Sequence, residues 1–494
     1  MTQFKIPQEV SRVTQTLQEA GFEAFLVGGC VRDLLRESVP KDWDITTSAN
    51  PDQIQELFEH SFYENDYGTV GVVNEDVSDE TLKVIEVTPY RIEGKYEDGR
   101  RPSEVHFSDN LEDDLKRRDF TINAIALNPH EKDSSKRQVV DLYNGQKDIK
   151  DKVIRTVGEP QERFGEDYLR MLRAARLATE LDFSIEKETR EQIVSHAKHI
   201  QDVSRERIRD EFSKILMTEH SMQGVVLLHE LGLLQYIMPE IETGIGVEQN
   251  GDHIYDVWEH NLRALQHSAD REWPLHIRLG ALLHDVSKPE TRRWSEEKND
   301  WTFYGHDVVG GRRARGILKN LNYSKDIVDS VSNLVRHHLF FTDIDKITLS
   351  AVRRLVKNVG PENVDDLMKI RACDRIGMGR PKETPYRLRK YQSMIEEAQR
   401  APVSVGMLKI NGDQLIADFG ERPGPRIGWI LHALLEEVLD DPSLNTPEYM
   451  HKRAGELVKL PDEELKTLGV AGKEKQEEAE EKELAEIRKK YHVK

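Results

Sequence analysis

Only two of the 494 residues are cysteine, Cys30 and Cys373. Two thiols build neither a disulfide framework nor a cysteine zinc site, and both read as small packed side chains. No apolar run approaches the roughly 20 residues of a membrane span. The N-terminus MTQFKIPQEV lacks the basic and apolar regions of a secretory signal, so no membrane partner is expected and the cytoplasm is the expected location. Basic charge is also in deficit, the formal net charge being -19. A diffuse nucleic-acid-binding surface is therefore excluded, and any phosphate contact must come from a few arginines and lysines gathered in a groove. No solenoid-type repeat is present.

What the chain does have is length and amphipathic pattern. At 494 residues, with 37% hydrophobic and 33% charged, it exceeds what one hydrophobic core serves, and about two to four domains are expected. Strand-like runs (AFLVGG, GTVGVV, KVIEVTPY, TINAIAL) alternate with helical ones in the first part. Apolar residues then recur at three and four from about residue 155 onward. The expected fold class is α+β: a head with a mixed sheet of about five strands, followed by helices. The boundaries expected are 1–150 for the head, 151–245 for a helical neck, 246–380 for a histidine-rich helical domain and 381–470 for a helical body and tail. The charged segment 471–494 is expected as a frayed helix or disordered tail.

The stretch GGCVRDLLRESVPKDWDI, 28 to 45, carries the first chemistry. A strand ends in the Gly28–Gly29 turn, which can bring backbone N–H groups close to phosphates. In the extended KDWDI, Asp42 and Asp44 point to one face about 7 Å apart along the strand. Two ionised carboxylates in that arrangement are costly unless divalent cations neutralise them, as two Mg2+ ions bridging to a nucleoside triphosphate would. Glu86, in KVIEVT, is either a third carboxylate facing this pair or a solvent-facing strand residue.

With KRRDFTINAIA and EDYLRMLRAAR downstream, this motif order resembles the bacterial, class II type of tRNA nucleotidyltransferase and poly(A) polymerase, in the polymerase β superfamily. The resemblance covers roughly residues 20 to 245. It implies a polymerase β-type head in which Asp42 and Asp44 bind metal and are catalytic. Gly28, Gly29 and Arg32 then meet the triphosphate. Arg117 and Arg118 supply nucleotide contacts, and Asp119 a capping or positioning carboxylate. Glu166, Asp167 and Arg170, continued by Arg173 and Arg176, read the base, an aspartate accepting from an amino group and an arginine donating to the ring. On one continuous helix Asp167 and Arg170 share a face and Arg176 falls on the far side. The Gly-rich, charged segment 89–107 resembles the family's flexible loop, which implies CCA addition or A addition over CC addition.

A second series runs Glu259-His260, His284-Asp285, His306, His337-His338 and Asp374. Imidazole with carboxylate suits a metal site that activates water. His284-Asp285, in LLHDVSKP, resembles the signature of the HD phosphohydrolase superfamily. That implies a divalent metal of unspecified identity on His260, His284, Asp285 and Asp374. His306 and His337 are further ligands for a second metal, with His338 the competitor for the latter place. Ser287 stands where that signature usually has glycine, while Lys288 remains available for a phosphate.

The expected activity is Mg2+-dependent addition of C and A from CTP and ATP to the 3' end of tRNA, with hydrolysis of a phosphomonoester or 2',3'-cyclic phosphate as a second activity. The rivals are an A-adding transferase or poly(A) polymerase, an HD phosphohydrolase whose head only binds nucleotide or RNA, and a silent RNA-binding protein. Oligomeric state is not legible.

Overall fold

The computed structural model describes residues 4–63, 68–75, 77–93, 105–130, 139–251, 253–340, 347–400 and 404–493. The chain divides into two compact units, one formed by residues 1–338 with 369–381, the other by 339–368 with 382–494.

The first unit opens on a seven-stranded mixed sheet. Its strands are β1 (Ala24–Val27), β2 (Asp44–Thr47), β3 (Ser61–Tyr63), β4 (Val70–Val73) and β5 (Val84–Pro89), then, after a separate ribbon of β6 (Arg91–Glu93) and β7 (Val105–Phe107), β8 (Ile125–Leu127) and β9 (Val139–Asp141). Their order is β3-β4-β5-β2-β1-β8-β9, with β2 and β5 parallel and the other neighbours antiparallel. The sheet has seven strands where about five were expected, because the outer pair, SFY and VVD, are three residues long and too short to show alternation. Val10, Val13 and Leu17, one stripe of the helix Gln8–Glu19, pack with Leu26, Ile45, Ile85 and Val87 in the head core. The ribbon of β6 and β7 forms the base of the expected loop at 89–107, whose residues 94–104 lie outside the described residues.

The helix Leu169–Leu181 has buried residues around most of its circumference. Its core is continuous from Phe120 and Ile122, through Leu172 and Phe212, to Leu262, Leu282 and Val331, so neck and histidine-rich region are cemented by one apolar body. Two small sheets interrupt the helices: the parallel pair Val153–Ile154 with Ser184–Ile185, and the hairpin Arg293–Ser295 with Asp300–Thr302.

In the second unit, the helices Gly412–Phe419, Pro425–Asp440, Pro447–Leu457 and Asp462–Lys490 enclose Leu415, Ile430, Leu434, Met450 and Leu465. The C-terminal segment is thus helical to Lys490, not frayed. Gly469 and Gly472 let this helix touch the backbone of Pro425–Asp440: a Cβ on Gly472 would lie 2.1 Å from the His432 carbonyl oxygen. Farther along, Lys475 pairs with Asp440 at 2.5 Å and Lys490 with Glu396 at 2.7 Å. Among the described residues no helix is long and apolar enough to cross a membrane.

Candidate active site and metal centre

Because β1 and β2 are antiparallel with Leu26 opposite Ile45, the end of β1 and the start of β2 meet at one rim of the sheet. The Gly28–Gly29 turn therefore lies against both aspartates. A Cβ on Gly28 would be 3.2 Å from Asp44 Oδ2 and 3.3 Å from Arg118 Nη1, and one on Gly29 would be 3.5 Å from Asp42 Oδ1. Gly28 adopts φ +81°, the left-handed region glycine enters freely. Trp43 is buried between Asp42 and Asp44, so strand alternation turns both carboxylates outward. On parallel β5, Glu86 is in register with Asp44 and exposed. Three carboxylates thus stand at this rim, a hard-oxygen donor set suited to a divalent cation.

Cations surround them. Buried Arg32 donates to both oxygens of Asp33 at 2.9 and 3.0 Å and to Asn123 Oδ1 at 3.0 Å. Arg117 and Arg118 are both held by Asp114, a fully buried carboxylate that the sequence reading missed. Burial pushes the Asp114 carboxyl up, but Arg118 and Arg117 outweigh it and hold it low. Asp114 precedes them by three and four residues, the spacing of helical neighbours, and that signal could have found it.

The run from Glu166 to Arg176 is not one helix. The chain is extended at Asp167, between the helices Pro160–Glu166 and Leu169–Leu181, and Asp167 accepts from Leu169 N at 3.0 Å at the start of the second. Arg207, missed in the sequence, holds the same carboxylate. Arg170 donates to Glu166, to Arg163 O at 2.9 Å and to Arg117 O at 3.2 Å, which joins this cluster to the Arg117–Arg118 pair. Asp119 accepts from Arg173 Nε at 2.8 Å and from Phe120 N at 2.8 Å. Its carboxyl, raised by burial but lowered more by Arg173 and Arg170, sits at about 2. Arg176 is engaged elsewhere, with Glu211 at 2.7 Å and Glu180 at 2.9 Å.

In the helical region, His260 Nε2 lies 3.0 Å from Asp285 and 3.5 Å from Asp374, and 2.9 Å from His284 Nε2. Asp285 Oδ1 faces His306 Nε2 at 3.3 Å and His338 Nε2 at 3.5 Å. The place weighed between His337 and His338 thus goes to His338. It continues the buried stripe of Val328, Val331 and Val335, whereas His337 flanks it half-buried. His253, unpredicted because it lies in a loop, joins His260, Asp285 and Asp374. Asp285 belongs to both this group and the one with His306 and His338, so its carboxylate could serve metal held by either.

Three family models match successive parts of the chain. The model described as Poly A polymerase head domain matches residues 24–155, that described as Probable RNA and SrmB- binding site of polymerase A matches 182–245, and that of the HD domain matches 251–378. The CCA-adding enzyme of Lactobacillus delbrueckii subsp. bulgaricus is 33% identical over 444 residues, 89% of this chain and 96% of its own. The chain belongs to the CCA-adding enzyme family. A second member, from Lactobacillus helveticus, is 47% identical over 213 residues, 43% of this chain and 50% of that protein. The crystal structure of the Bacillus stearothermophilus CCA-adding enzyme in complex with CTP matches with a TM-score of 0.57 at 26% identity, covering 90% of this chain and 97% of that one.

For this CCA-adding family member, the histidine cluster itself argues for metal. His284, His306 and His338 each direct Nδ1 to the carbonyl three residues back, at 2.7, 2.6 and 2.7 Å. That fixes Nε2 as the inward-facing nitrogen, as in metal-ligating histidines. Asp285 Oδ1 is buried without a hydrogen-bond partner. Burial pushes the Asp285 carboxyl up, yet Lys288, at 2.5 Å, and His284 hold it well below the usual range. Buried imidazoles converging on an ionised carboxylate are a group that could hold a metal ion.

Proposed function

We propose that this enzyme completes the 3' end of tRNA by adding C, C and A from CTP and ATP, using Mg2+ held by Asp42 and Asp44. The observation that carries the reading is the meeting of a glycine turn, three outward carboxylates and Arg118 at one sheet rim. The relative of known structure that binds CTP supports it. Bound metal would neutralise the triphosphate and the two aspartates together. Gly28, Gly29, Arg32, Arg117 and Arg118 bind and orient the triphosphate. The tRNA 3' hydroxyl oxygen bonds to the α-phosphorus and its proton passes to solvent as the bond to the β-phosphate oxygen breaks, and pyrophosphate leaves. Catalysis is chiefly positioning and charge neutralisation. Glu166, Asp167, Arg170 and Arg173 read the base, with Asp119 as the positioning carboxylate. We assign the head to 1–150, the neck to 151–245, the HD domain to 246–380, the body and tail to 381–470 and a charged C-terminal segment to 471–494, and place the enzyme in the cytoplasm.

The test is incorporation of labelled CTP and ATP, singly and together, into tRNA transcripts ending before the tail, after CC, and complete. Stepwise addition that stops at CCA is expected. Addition of A alone to the CC-ended transcript, or long A tails on any RNA, would replace this reading.

A second activity is favoured by the HD cluster. There, His260, His284, Asp285, Asp374, His306 and His338 would hold divalent metal that activates water for hydrolysis of a phosphate ester. Water oxygen bonds to phosphorus, the bond to one ester oxygen breaks, and that oxygen takes up a proton. Lys288, ion-paired to Asp285, would supply positive charge to the phosphate. Release of phosphate from nucleoside monophosphates, or opening of 2',3'-cyclic ones, after reloading chelated enzyme with Mg2+, Mn2+ or Ni2+ tests it.

A further inference from the structure

The hairpin Arg293–Ser295/Asp300–Thr302 is inserted between two residues of the HD cluster. The chain leaves Lys288, whose Nζ is 2.5 Å from Asp285, and returns at His306, whose Nε2 is 3.3 Å from it. A loop ties the hairpin back to the same place. Asn250 Nδ2 donates to Trp301 O at 2.8 Å, Gln249 Oε1 accepts from Lys288 Nζ at 2.6 Å, and His253 stands 3.5 Å from Lys288. The hairpin therefore borders the Lys288 side of the cluster.

Its surface is unusual for a solvent-facing ribbon. Trp294 and Trp301 are cross-strand partners with rings edge-to-face at 5.2 Å. Trp294 is 46% and Tyr304 74% exposed. The guanidinium of Arg292 covers Trp301 at 3.7 Å, and Arg292 Nε is buried without a hydrogen-bond partner. Its carboxylate neighbour, Glu248, is at 3.8 Å. Lys298 Nζ donates to the Tyr304 hydroxyl at 2.7 Å. Aromatic faces interleaved with arginine and lysine are what a nucleobase with its attached phosphate requires, stacking on the ring while the cations meet the charge.

We propose that this hairpin is the base-binding wall of the HD site: the base of a nucleoside phosphate stacks on Trp294, and Arg292 donates to the same nucleotide. The ligand is a free nucleotide or the end of an RNA strand. The inference rests on the HD reading for the fate of the phosphate, but not for binding.

The test is calorimetric titration of metal-loaded full-length enzyme, its head saturated with CTP, with adenosine 2',3'-cyclic phosphate and with the base-free ribose cyclic phosphate. Trp294→Ala is expected to weaken adenosine nucleotide binding about tenfold, to leave the base-free ligand unchanged, and to be rescued by Trp294→Phe. Equal nucleotide affinity in wild type and Trp294→Ala, or equal losses for both ligands, overturns the proposal. Binding without hydrolysis in the wild type would remove the HD catalytic reading and leave the hairpin site standing. A larger Trp294→Ala loss on a tRNA ending in a 2',3'-cyclic phosphate assigns the wall to an RNA end, and a larger loss on the free nucleotide assigns it to mononucleotides.

Discussion

Arg207 grips the carboxylate of Asp167 from the helix Arg205–Leu216, with Nη2 2.6 Å from Oδ2 and Nη1 3.3 Å from Oδ1. A two-point ion pair fixes the plane of the carboxylate as well as its place. The residue proposed to accept from a base amino group is thus oriented by a residue forty positions away in the chain.

Arg207→Ala frees that carboxylate, and the expected result is lost selectivity, with kcat/KM for the correct nucleotide falling about tenfold. Arg207→Lys keeps the charge without the planar fork and should recover only part of the loss. Competition between CTP, UTP and ATP at each step measures it; unchanged discrimination in Arg207→Ala would leave Asp167 without need of an orienting partner.

At the rim of the sheet, Asp42→Ala removes an exposed carboxylate. Nucleotide addition is expected to fall by about 1000-fold or more, as when charge stabilisation is lost at a reacting phosphate, while tRNA affinity stays within about twofold. Filter binding and incorporation assays on one preparation separate the two effects. Normal incorporation by Asp42→Ala would remove the two-metal assignment.

The two adjacent histidines give a sharp contrast. His338→Ala deletes an Nε2 that faces Asp285 at 3.5 Å, and metal affinity of the HD cluster should drop by about 10 to 100-fold. His337→Ala, changing a side chain that flanks the stripe, should bind metal as the wild type does. Metal titration after chelation reads both, and equal losses would mean that both imidazoles reach the site.

Asp119 makes stability depend on acid. Its carboxyl drops from 3.8 unfolded to about 2 folded, so the ionised form is favoured by folding. The contribution is complete above about pH 4 and is lost as pH falls through about 2. Asp119→Asn should therefore cost about 2 kcal/mol at neutral pH, with the gap to wild type closing below pH 4. Denaturant unfolding across that range checks the sign. A gap that widened with acid would mean Arg173 is not the group holding Asp119.

Local chemistry was readable in the sequence where neighbours along the chain make the site. Gly28, Gly29, Asp42 and Asp44 are a turn and two alternate strand positions, and the register of β1 with β2 joins them. The placement of Asp167 on one continuous helix failed because an aspartate in a helical pattern can instead start a helix, and periodicity alone does not separate these uses. Arg207 was invisible because its partner is distant in sequence, and His253 because it lies in a loop. For His338, the stripe Val328, Val331, Val335 held the answer that a list of metal-binding residue types did not.

The C-terminal helix shows the same limit from the side of packing. EEAEEKELAEIRKK has no apolar stripe and reads as solvated, yet the order of the helix starts upstream, where Gly469 and Gly472 meet another backbone. In an isolated helix, Gly→Ala would stabilise by about 1 kcal/mol. Here the added Cβ of Gly472→Ala would meet His432 O at 2.1 Å and that of Gly469→Ala would meet Trp429 Cα at 2.5 Å. Neither obstacle is a flexible side-chain end, so the helices must part, at about 1 to 3 kcal/mol. The expected sign is therefore reversed: both substitutions should lower the melting temperature and speed proteolysis within 473–490. A Gly472→Ala protein that melted higher would place this helix farther from Pro425–Asp440 than its glycines require.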